Sequence, residues 1–184
     1  DTQNLPFVAT FHSLCFHILK EVYPAKQQSI VDEYGQKFVV KEAYSQIQDE
    51  VGSLPFTEKI LSQMIVAAKQ KILEPLDDLL PISDEYDCDP DLLQKAYLKY
   101  QDLLGIQGMV DYEDLIVKVV TLLETDPDIC KRYSDQYTHI LIDEYQDLNE
   151  GQYRIVKALA SDTKNLFAIG DPDQSIYGFR GSDV

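Results

Sequence analysis

The sequence predicts an α/β fold that is rich in helix, with a parallel sheet interrupted by a mostly helical insertion. Two short apolar runs, at 140–142 and 166–169, are each followed by acidic residues, and a helical stretch separates them. Strands that are apolar throughout are typical of parallel sheets covered on both faces. The polar, periodic stretch between them and the N-terminus predicts helices joined by turns. We therefore expect a split α/β layer, residues 1–12 and roughly 137–184, around a helical insertion.

The elements follow from apolar spacing and from the residues that start and stop helices. Residues 7–11 form a short apolar run that favours β-structure. Apolar residues three and four positions apart predict helices. Pro24 ends the first of them, and Asp126 with Pro127 starts another as a capping residue and a first helical proline. The predicted helical stretches are 14–22, 57–73, 91–104, 112–124, one from about 126, and 150–160.

The composition indicates a globular protein of one or two domains. The chain has 184 residues, of which 45% are hydrophobic and 26% charged. No apolar run approaches the roughly 18 residues needed to cross a membrane, and no secretory signal opens the chain. Three widely spaced cysteines without a C-x-x-C pair argue against disulfides and zinc, so we expect a reduced, cytoplasmic protein. The missing initiator Met suggests an internal segment of a longer protein.

The formal net charge of -16 argues, taken alone, against binding to nucleic acid. Affinity for a phosphate backbone depends on Lys and Arg. Net charge is a sum over all faces, however, and a local channel can have the opposite sign. The charge therefore weakens a nucleic-acid role for this segment without excluding it for a longer protein.

The run from His139 to Glu144 is an apolar strand that ends in two carboxylates. Ligands of parallel α/β sheets gather beyond the carboxyl ends of the strands. In phosphoryl transfer, one carboxylate can hold Mg²⁺ while the other orients or deprotonates the attacking water. The alternative is a strand that merely turns at Asp-Glu.

Four segments resemble motifs of the superfamily 1 DNA helicases of the UvrD/Rep/PcrA type. Residues 143–147, Asp-Glu-Tyr-Gln-Asp, look like motif II, a Walker B variant, and residues 170–181 look like motif III. Residues 10–13, Thr-Phe-His-Ser, resemble the element ahead of the helical 1B insertion, and residues 111–115 resemble the helix before motif II. The four stand in the family's order and span nearly the whole chain.

This resemblance implies a fold and an activity. Residues 1–23 and 111–184 would be parts of a P-loop NTPase (RecA-like) motor domain, 1A, and residues 24–110 a helical 1B-like insertion. The parent would use ATP and Mg²⁺ to move 3′ to 5′ on single-stranded DNA and to unwind duplexes at junctions, without a membrane.

The resemblance also assigns roles around the nucleotide. Asp143 would bind Mg²⁺, Glu144 would be the general base for water, and Gln174 would reach the γ-phosphate. Asp171, at the second strand end, would belong to the same nucleotide site. Gln146 could link the two motifs through hydrogen bonds.

For DNA, the resemblance implicates Tyr177, Phe179 and Arg180, because bases stack on flat side chains with little sequence preference. The alternative is that both aromatics are core residues of a terminal turn. Thr10 and His12 would contact the DNA backbone, although a lone His at a strand end is more often structural. The family usually has Trp in place of Phe179 and often a basic residue in place of Gly178, which suggests reduced DNA affinity.

Two parts of a complete motor are missing from the sequence. There is no G-x-x-x-x-G-K-[ST] loop to cradle phosphates, and no second motor domain. We therefore expect the isolated segment to be inactive. Two alternatives remain open: a motor segment of a recombination-type helicase–nuclease subunit, or a domain that binds DNA or a protein without catalysis.

Overall fold

The computed structural model describes residues 6–24, 29–160 and 165–171, and most of them are helical. The helices are α1 Phe11–Val22, α2 Glu33–Val51, α3 Glu58–Gln70, α4 Leu80–Ser83, α5 Pro90–Ile106, α6 Tyr112–Thr125, α7 Pro127–Gln136 and α8 Glu150–Leu159. The strands are β1 Ser29–Ile30, β2 Met109–Val110, β3 His139–Ile142 and β4 Asn165–Ala168, and a 3₁₀ turn covers Tyr145–Asp147. The prediction of a helix-rich α/β protein is confirmed.

Local sequence explains where the helices begin. Each described helix except α4 follows a residue whose side chain accepts a hydrogen bond from a first-turn N–H, and such caps contribute about 1 kcal/mol each. The predicted cap at Asp126, with Pro127 in the first helical turn, is confirmed. The capping residues are Thr10, Asp32, Thr57, Asp89, Asp111, Asp126 and Asn149.

The buried apolar residues form two clusters. The first is built by α2, α3, α4 and α5 with their connections, and Tyr97 and Tyr100 are its largest side chains. The second is built mainly by α1, α6, α7 and α8, and it continues to the apolar face of β3 through Ile140. Helices α3 and α6 contact each other and join the two clusters.

The described residues form two parallel sheets of two strands each. In the larger sheet β3 pairs with β4 in the register His139 with Asn165 through Ile142 with Ala168. Helix α8 connects the two strands, so the predicted strand–helix–strand unit is confirmed. The smaller sheet pairs β1 with β2. It lies between the two clusters, because Met109 packs against the first while Ile30 and Val110 pack in the second.

The expectation that both strands are covered on both faces is wrong for the described residues. Ile142 is buried and Ile140 half-buried, but Leu141 between them is 75% exposed and Phe167 is 59% exposed. Ile140 packs against the second cluster, whereas no described element covers the face of Leu141. The apolar composition of a strand therefore predicts that its faces become buried, but it does not identify the element that buries them.

Two local predictions are also corrected. Residues 6–10 have no regular structure, because Thr10 caps α1 and draws Phe11 into the helix, and Val8 is 87% exposed. The helix predicted to 73 ends at Gln70, because Ile72 takes a left-handed backbone with φ of 56°. Ile72 consequently packs in the second cluster instead of the first.

Candidate functional site

The ends of β3 and β4 meet at one edge of the sheet, as parallel pairing requires. Asp143 and Glu144 follow β3 directly. Beyond β4, the Ile169 N–H donates to the Ile142 carbonyl at 2.8 Å, and the Tyr145 N–H donates to the Ile169 carbonyl at 3.0 Å. These bonds bring the segment after β4 beside the turn after β3. The two acidic strand ends predicted from the sequence therefore lie together.

Glu144 occupies an uncommon backbone conformation, with φ of 53° and ψ of 47°. A residue with a Cβ pays roughly 1–2 kcal/mol in this left-handed region. Such strain persists where the surroundings over-determine it, and it clusters at functional sites. Here the Glu144 N–H donates to Asp143 Oδ1 at 3.1 Å, and the 3₁₀ turn follows at once. The conformation redirects the chain so that both carboxylates of the pair remain exposed at the sheet edge.

Gln146 lies under this pair and is only 3% exposed. Its Nε2 donates to Glu144 Oε2 at 2.5 Å, and its Oε1 accepts from the Asp171 N–H at 3.0 Å. Gly170 permits this close approach, because a Cβ at that position would lie 2.1 Å from Gln146 Oε1 and 2.9 Å from the Tyr145 nitrogen. The expected hydrogen-bonded link between the two strand ends is confirmed.

Asp143 suits a magnesium site in which the protein supplies only one or two ligands. Its carboxylate is exposed at the sheet edge. Mg²⁺ usually takes one or two carboxylates and completes its octahedron with water and substrate phosphates. Within the described part of the chain, no group of three or more His, Cys, Asp and Glu residues could hold a metal by itself. The arrangement suits a cation that arrives with a phosphate ligand.

A cleft of about 560 Å³ opens near the start of α1 and α6, and His12, Glu113, Asp147 and Asn149 are among the residues that line it. His12 contacts the exposed ring of Tyr112 edge-on, with 5.7 Å between ring centres. His12, which the motif resemblance assigns to the DNA backbone, therefore has an exposed aromatic neighbour at the cleft.

The cleft supplies little positive charge. Burial lowers the pKa of His12, so its imidazole is neutral at pH 7. Burial, followed by the negative charge of Asp111, raises the pKa of Glu113. Lys69 also lines the cleft, but its ammonium is already paired with two carboxylates. Any phosphate contact by His12 would therefore be a hydrogen bond between neutral and charged groups, without an ion pair.

Thr10 is the N-terminal capping residue of α1. Its Oγ1 accepts from the Ser13 N–H at 3.2 Å and donates to the Ser13 hydroxyl at 3.0 Å, which caps α1. The residue is nevertheless exposed. Four further residues named from the sequence, Gln174, Tyr177, Phe179 and Arg180, lie outside the described residues.

Sequence reasoning missed a buried ionic cluster that we call the Lys69 cluster: Lys69, Asp111, Asp114, Tyr100 and Gln101. The Lys69 ammonium lies 2.6 Å from Asp111 Oδ2 and 2.8 Å from Asp114 Oδ1. Tyr100 donates to Asp111 at 2.7 Å, and Gln101 donates to Asp114 at 3.0 Å. The three-residue spacing of the aspartates, which form a capping box at the start of α6, was the only local signal.

Electrostatics within the Lys69 cluster favour the ion pair. Burial acts to raise the pKa of Asp114, but the Lys69 charge and hydrogen bonds from Lys69 and Gln101 outweigh it and lower that pKa. Burial, with the charge of Asp111, raises the pKa of Tyr100. Because Lys69 belongs to α3 and Asp111 caps α6, the cluster joins the two apolar clusters of the fold.

The fold and the strand-end carboxylates define an α/β protein with acidic residues exposed where the carboxyl ends of β3 and β4 meet. A family comparison makes the class specific: residues 3–184 match the UvrD/REP helicase N-terminal domain, and the chain belongs to that family.

The chain is also similar to individual proteins named ATP-dependent DNA helicase PcrA. It is 32% identical over 188 residues to the one from Staphylococcus aureus, a match that covers 100% of this chain and 25% of that protein. It is 33% identical over 182 residues to the one from Leuconostoc citreum, covering 97% of this chain and 24% of that protein. The chain thus spans about a quarter of the length of these relatives. None of the helices described in the structure is long and apolar enough to cross a membrane.

Proposed function

We propose that the chain is part of an ATP-dependent DNA helicase and contributes the carboxylates that hold Mg²⁺ and activate water. The observation that carries this proposal is the exposed pair Asp143 and Glu144 at the end of β3, in a parallel strand–helix–strand unit of a UvrD/REP family member. Relatives that match the whole chain carry the name of ATP-dependent DNA helicases, which supports the same activity for the longer protein.

We further propose the domain division made from the sequence. Residues 1–23 and 111–184 would belong to a RecA-like P-loop NTPase domain, and residues 24–110 would be the helical insertion in it. The two apolar clusters support this division, because the first draws its buried residues from 31–104 and the second almost entirely from residues outside that range. Ile72 and Val110, which belong to the proposed insertion but pack in the second cluster, are the exceptions.

In the proposed mechanism, Asp143 would hold Mg²⁺ at the exposed edge of the sheet, and Glu144 accepts a proton from the attacking water. A bound Mg²⁺ would neutralise charge that develops on the phosphates. Asp171 lies at the neighbouring strand end and completes the nucleotide side. Gln174 would bond to the γ-phosphate, because a neutral amide can bond phosphate oxygens without titrating.

For the DNA side, we propose that Tyr177, Phe179 and Arg180 provide stacking surfaces and that Thr10 and His12 contact the backbone. Stacking tolerates every base, which suits 3′ to 5′ translocation on single strands and the unwinding of duplex at junctions. The exposure of Thr10 and the position of His12 at the cleft support the backbone contacts. A reducing compartment such as the cytoplasm suits the three free cysteines.

Replacing Glu144 by Gln in the full-length protein tests the proposal. The amide keeps the size of the side chain but cannot accept the proton, so DNA-stimulated ATP hydrolysis should fall about 100- to 10,000-fold. ATP affinity, measured with a fluorescent analogue, should change less than about threefold. Glu150→Gln is the matched control, because Glu150 is an exposed first-turn glutamate of α8.

Unchanged hydrolysis in Glu144→Gln would show that the base lies elsewhere. The 184-residue chain by itself should show no DNA-stimulated ATPase, since its sequence has no phosphate-cradling G-x-x-x-x-G-K-[ST] loop. Measurable turnover by the purified chain would contradict that part of the proposal.

A further inference from the structure

We propose that Gln146 is the positioning residue for Glu144: its amide fixes the orientation of that carboxylate and anchors it to the backbone after β4. This inference rests on the proposed function, in which Glu144 is the general base. It goes further by naming the group that sets the geometry of the base and by linking that geometry to the second strand end.

Gln146 makes two hydrogen bonds of opposite polarity at the same time. Its Nε2 donates to Glu144 Oε2 at 2.5 Å, and its Oε1 accepts from the Asp171 N–H at 3.0 Å. A carboxylate in its place could not donate, and an ammonium could not accept, whereas an amide does both without titrating. At 3% exposure, the side chain is held by its surroundings and has little room to reorient.

Glu144 needs such a partner because its own environment restrains it little. The residue is exposed, and its side chain has three rotatable bonds that solvent would leave free. The bond from Gln146 occupies one lone-pair site on Oε2, and a carboxylate has about four such sites in all. The remaining sites can still receive a water proton, so the restraint orients the base without blocking it.

The anchor of Gln146 lies on the segment that leads from β4 into residues 172–181. Gly170 lets that segment approach, since a Cβ there would lie 2.1 Å from Gln146 Oε1. The orientation of Glu144 therefore depends on the position of the Asp171 backbone. This dependence links the proposed base directly to the segment that carries Gln174, the residue proposed to bond the γ-phosphate.

The test is Gln146→Met in the full-length protein, with ATP hydrolysis measured at saturating single-stranded DNA. Methionine nearly preserves the volume and suits the burial, but it removes both hydrogen bonds. We expect kcat to fall about 10- to 100-fold, which is typical when a partner that orients a reacting group is removed. The KM for ATP, and the affinity for a non-hydrolysable analogue, should stay within about threefold.

Gln46→Met is the matched control. Gln46 is also a glutamine whose Nε2 donates to a glutamate, Glu42 Oε1, at 2.8 Å, within α2. Its replacement should leave kcat and the KM for ATP within about twofold. Gln146→Asn provides a second variant, because it keeps an amide but is one methylene too short to span both partners. Counting bound nucleotide per chain gives kcat per native molecule even where part of a sample is unfolded.

The outcomes separate the two proposals. Loss of kcat with an unchanged KM in both Gln146 variants supports the positioning role. An unchanged kcat in them, while Glu144→Gln is inactive, overturns this inference and leaves the proposed function intact. A raised KM with unchanged kcat also overturns it, because Gln146 would then act in ATP binding. Turnover by Glu144→Gln would instead refute the assignment of the base itself.

Discussion

Replacing Lys69 by Met should destabilise the 184-residue chain more than any exposed lysine replacement. The Lys69 side chain is 0% exposed, and its ammonium lies 2.6 Å from Asp111 and 2.8 Å from Asp114. Methionine fills similar volume but leaves both carboxylates buried without a cation. Breaking a buried pair by removing one partner costs about 3–5 kcal/mol, because the remaining charge is uncompensated.

This loss is large compared with the total free energy of unfolding of a single domain. Single domains are stable by about 5–15 kcal/mol, so the substitution removes a third of the stability or more in the typical case. With a urea m-value of about 2 kcal/mol/M, the unfolding midpoint should fall by about 1.5–2.5 M. Urea unfolding followed by circular dichroism measures this shift. Lys71→Met is the control, since Lys71 is about half exposed and lies 3.7 Å from Glu85, a surface pair worth about 0–1 kcal/mol.

The pH dependence gives a second readout. The pKa of Asp114 is lowered in the folded chain, so its contribution is present above the unfolded value of about 3.9 and is lost as pH falls through the folded value. In Lys69→Met the buried Asp114 carboxylate loses its cation, so burial should raise its pKa above the unfolded value. Protonation then removes the uncompensated buried charge from the variant. The difference in free energy of unfolding between the variant and the original chain should therefore shrink from pH 7 to about pH 4. If Lys69→Met lowers the free energy of unfolding by less than about 1 kcal/mol at pH 7, no more than Lys71→Met does, the buried ion pair does not stabilise the fold as argued.

Two further predictions concern a buried glycine and a stacking residue. Gly151→Ala should lower stability by about 1–3 kcal/mol despite the better helix propensity of Ala, because the new Cβ would lie 2.5 Å from Ile116 Cγ2 and 2.6 Å from Ile72 Cδ1; differential scanning calorimetry measures the loss. Phe179→Ala in the full-length protein should weaken single-stranded DNA binding about 5- to 150-fold by fluorescence anisotropy, since stacking contributes about 1–3 kcal/mol per base.

Each of these has a control within the chain. Gly105→Ala in α5 meets nothing within 4 Å, so it should stabilise by about 0.5–1 kcal/mol, and a loss equal to that of Gly151→Ala would disprove the packing explanation. Phe38→Ala removes an exposed ring from α2 and should leave affinity for single-stranded DNA unchanged. Equal affinities of the two phenylalanine variants would take Phe179 out of the DNA site.

Much of the secondary structure was predictable because its causes are local. A capping Asp126 ahead of Pro127, and apolar residues at helical spacing through α6, act within a few residues of one another. The acidic ends of β3 and β4 are equally local, and parallel pairing brings such ends to one edge of a sheet. The motif resemblance placed the chain in its family for the same reason, since the motifs are contiguous.

Local pattern failed where a residue's role depends on distant partners. Ile72 fits the apolar stripe of α3, yet the turn after Gln70 sends it to the second cluster. Leu141 continues an apolar strand, yet the described helices cover the other face. In both cases the spacing of apolar residues predicted the element correctly. Which face of the element is buried depends on the neighbouring elements that pack against it.

The sequence by itself determined the start of α7, the strand–helix–strand unit, the carboxylate pair Asp143 and Glu144, and the family. Only the tertiary structure paired Lys69 with Asp111, across 42 residues, and joined Gln146 to the Asp171 backbone, across 25. The physical reason is that a buried charge or amide must find a partner within hydrogen-bonding distance. Which partner lies that close is decided by how α3 packs on α6 and by the register of β3 with β4.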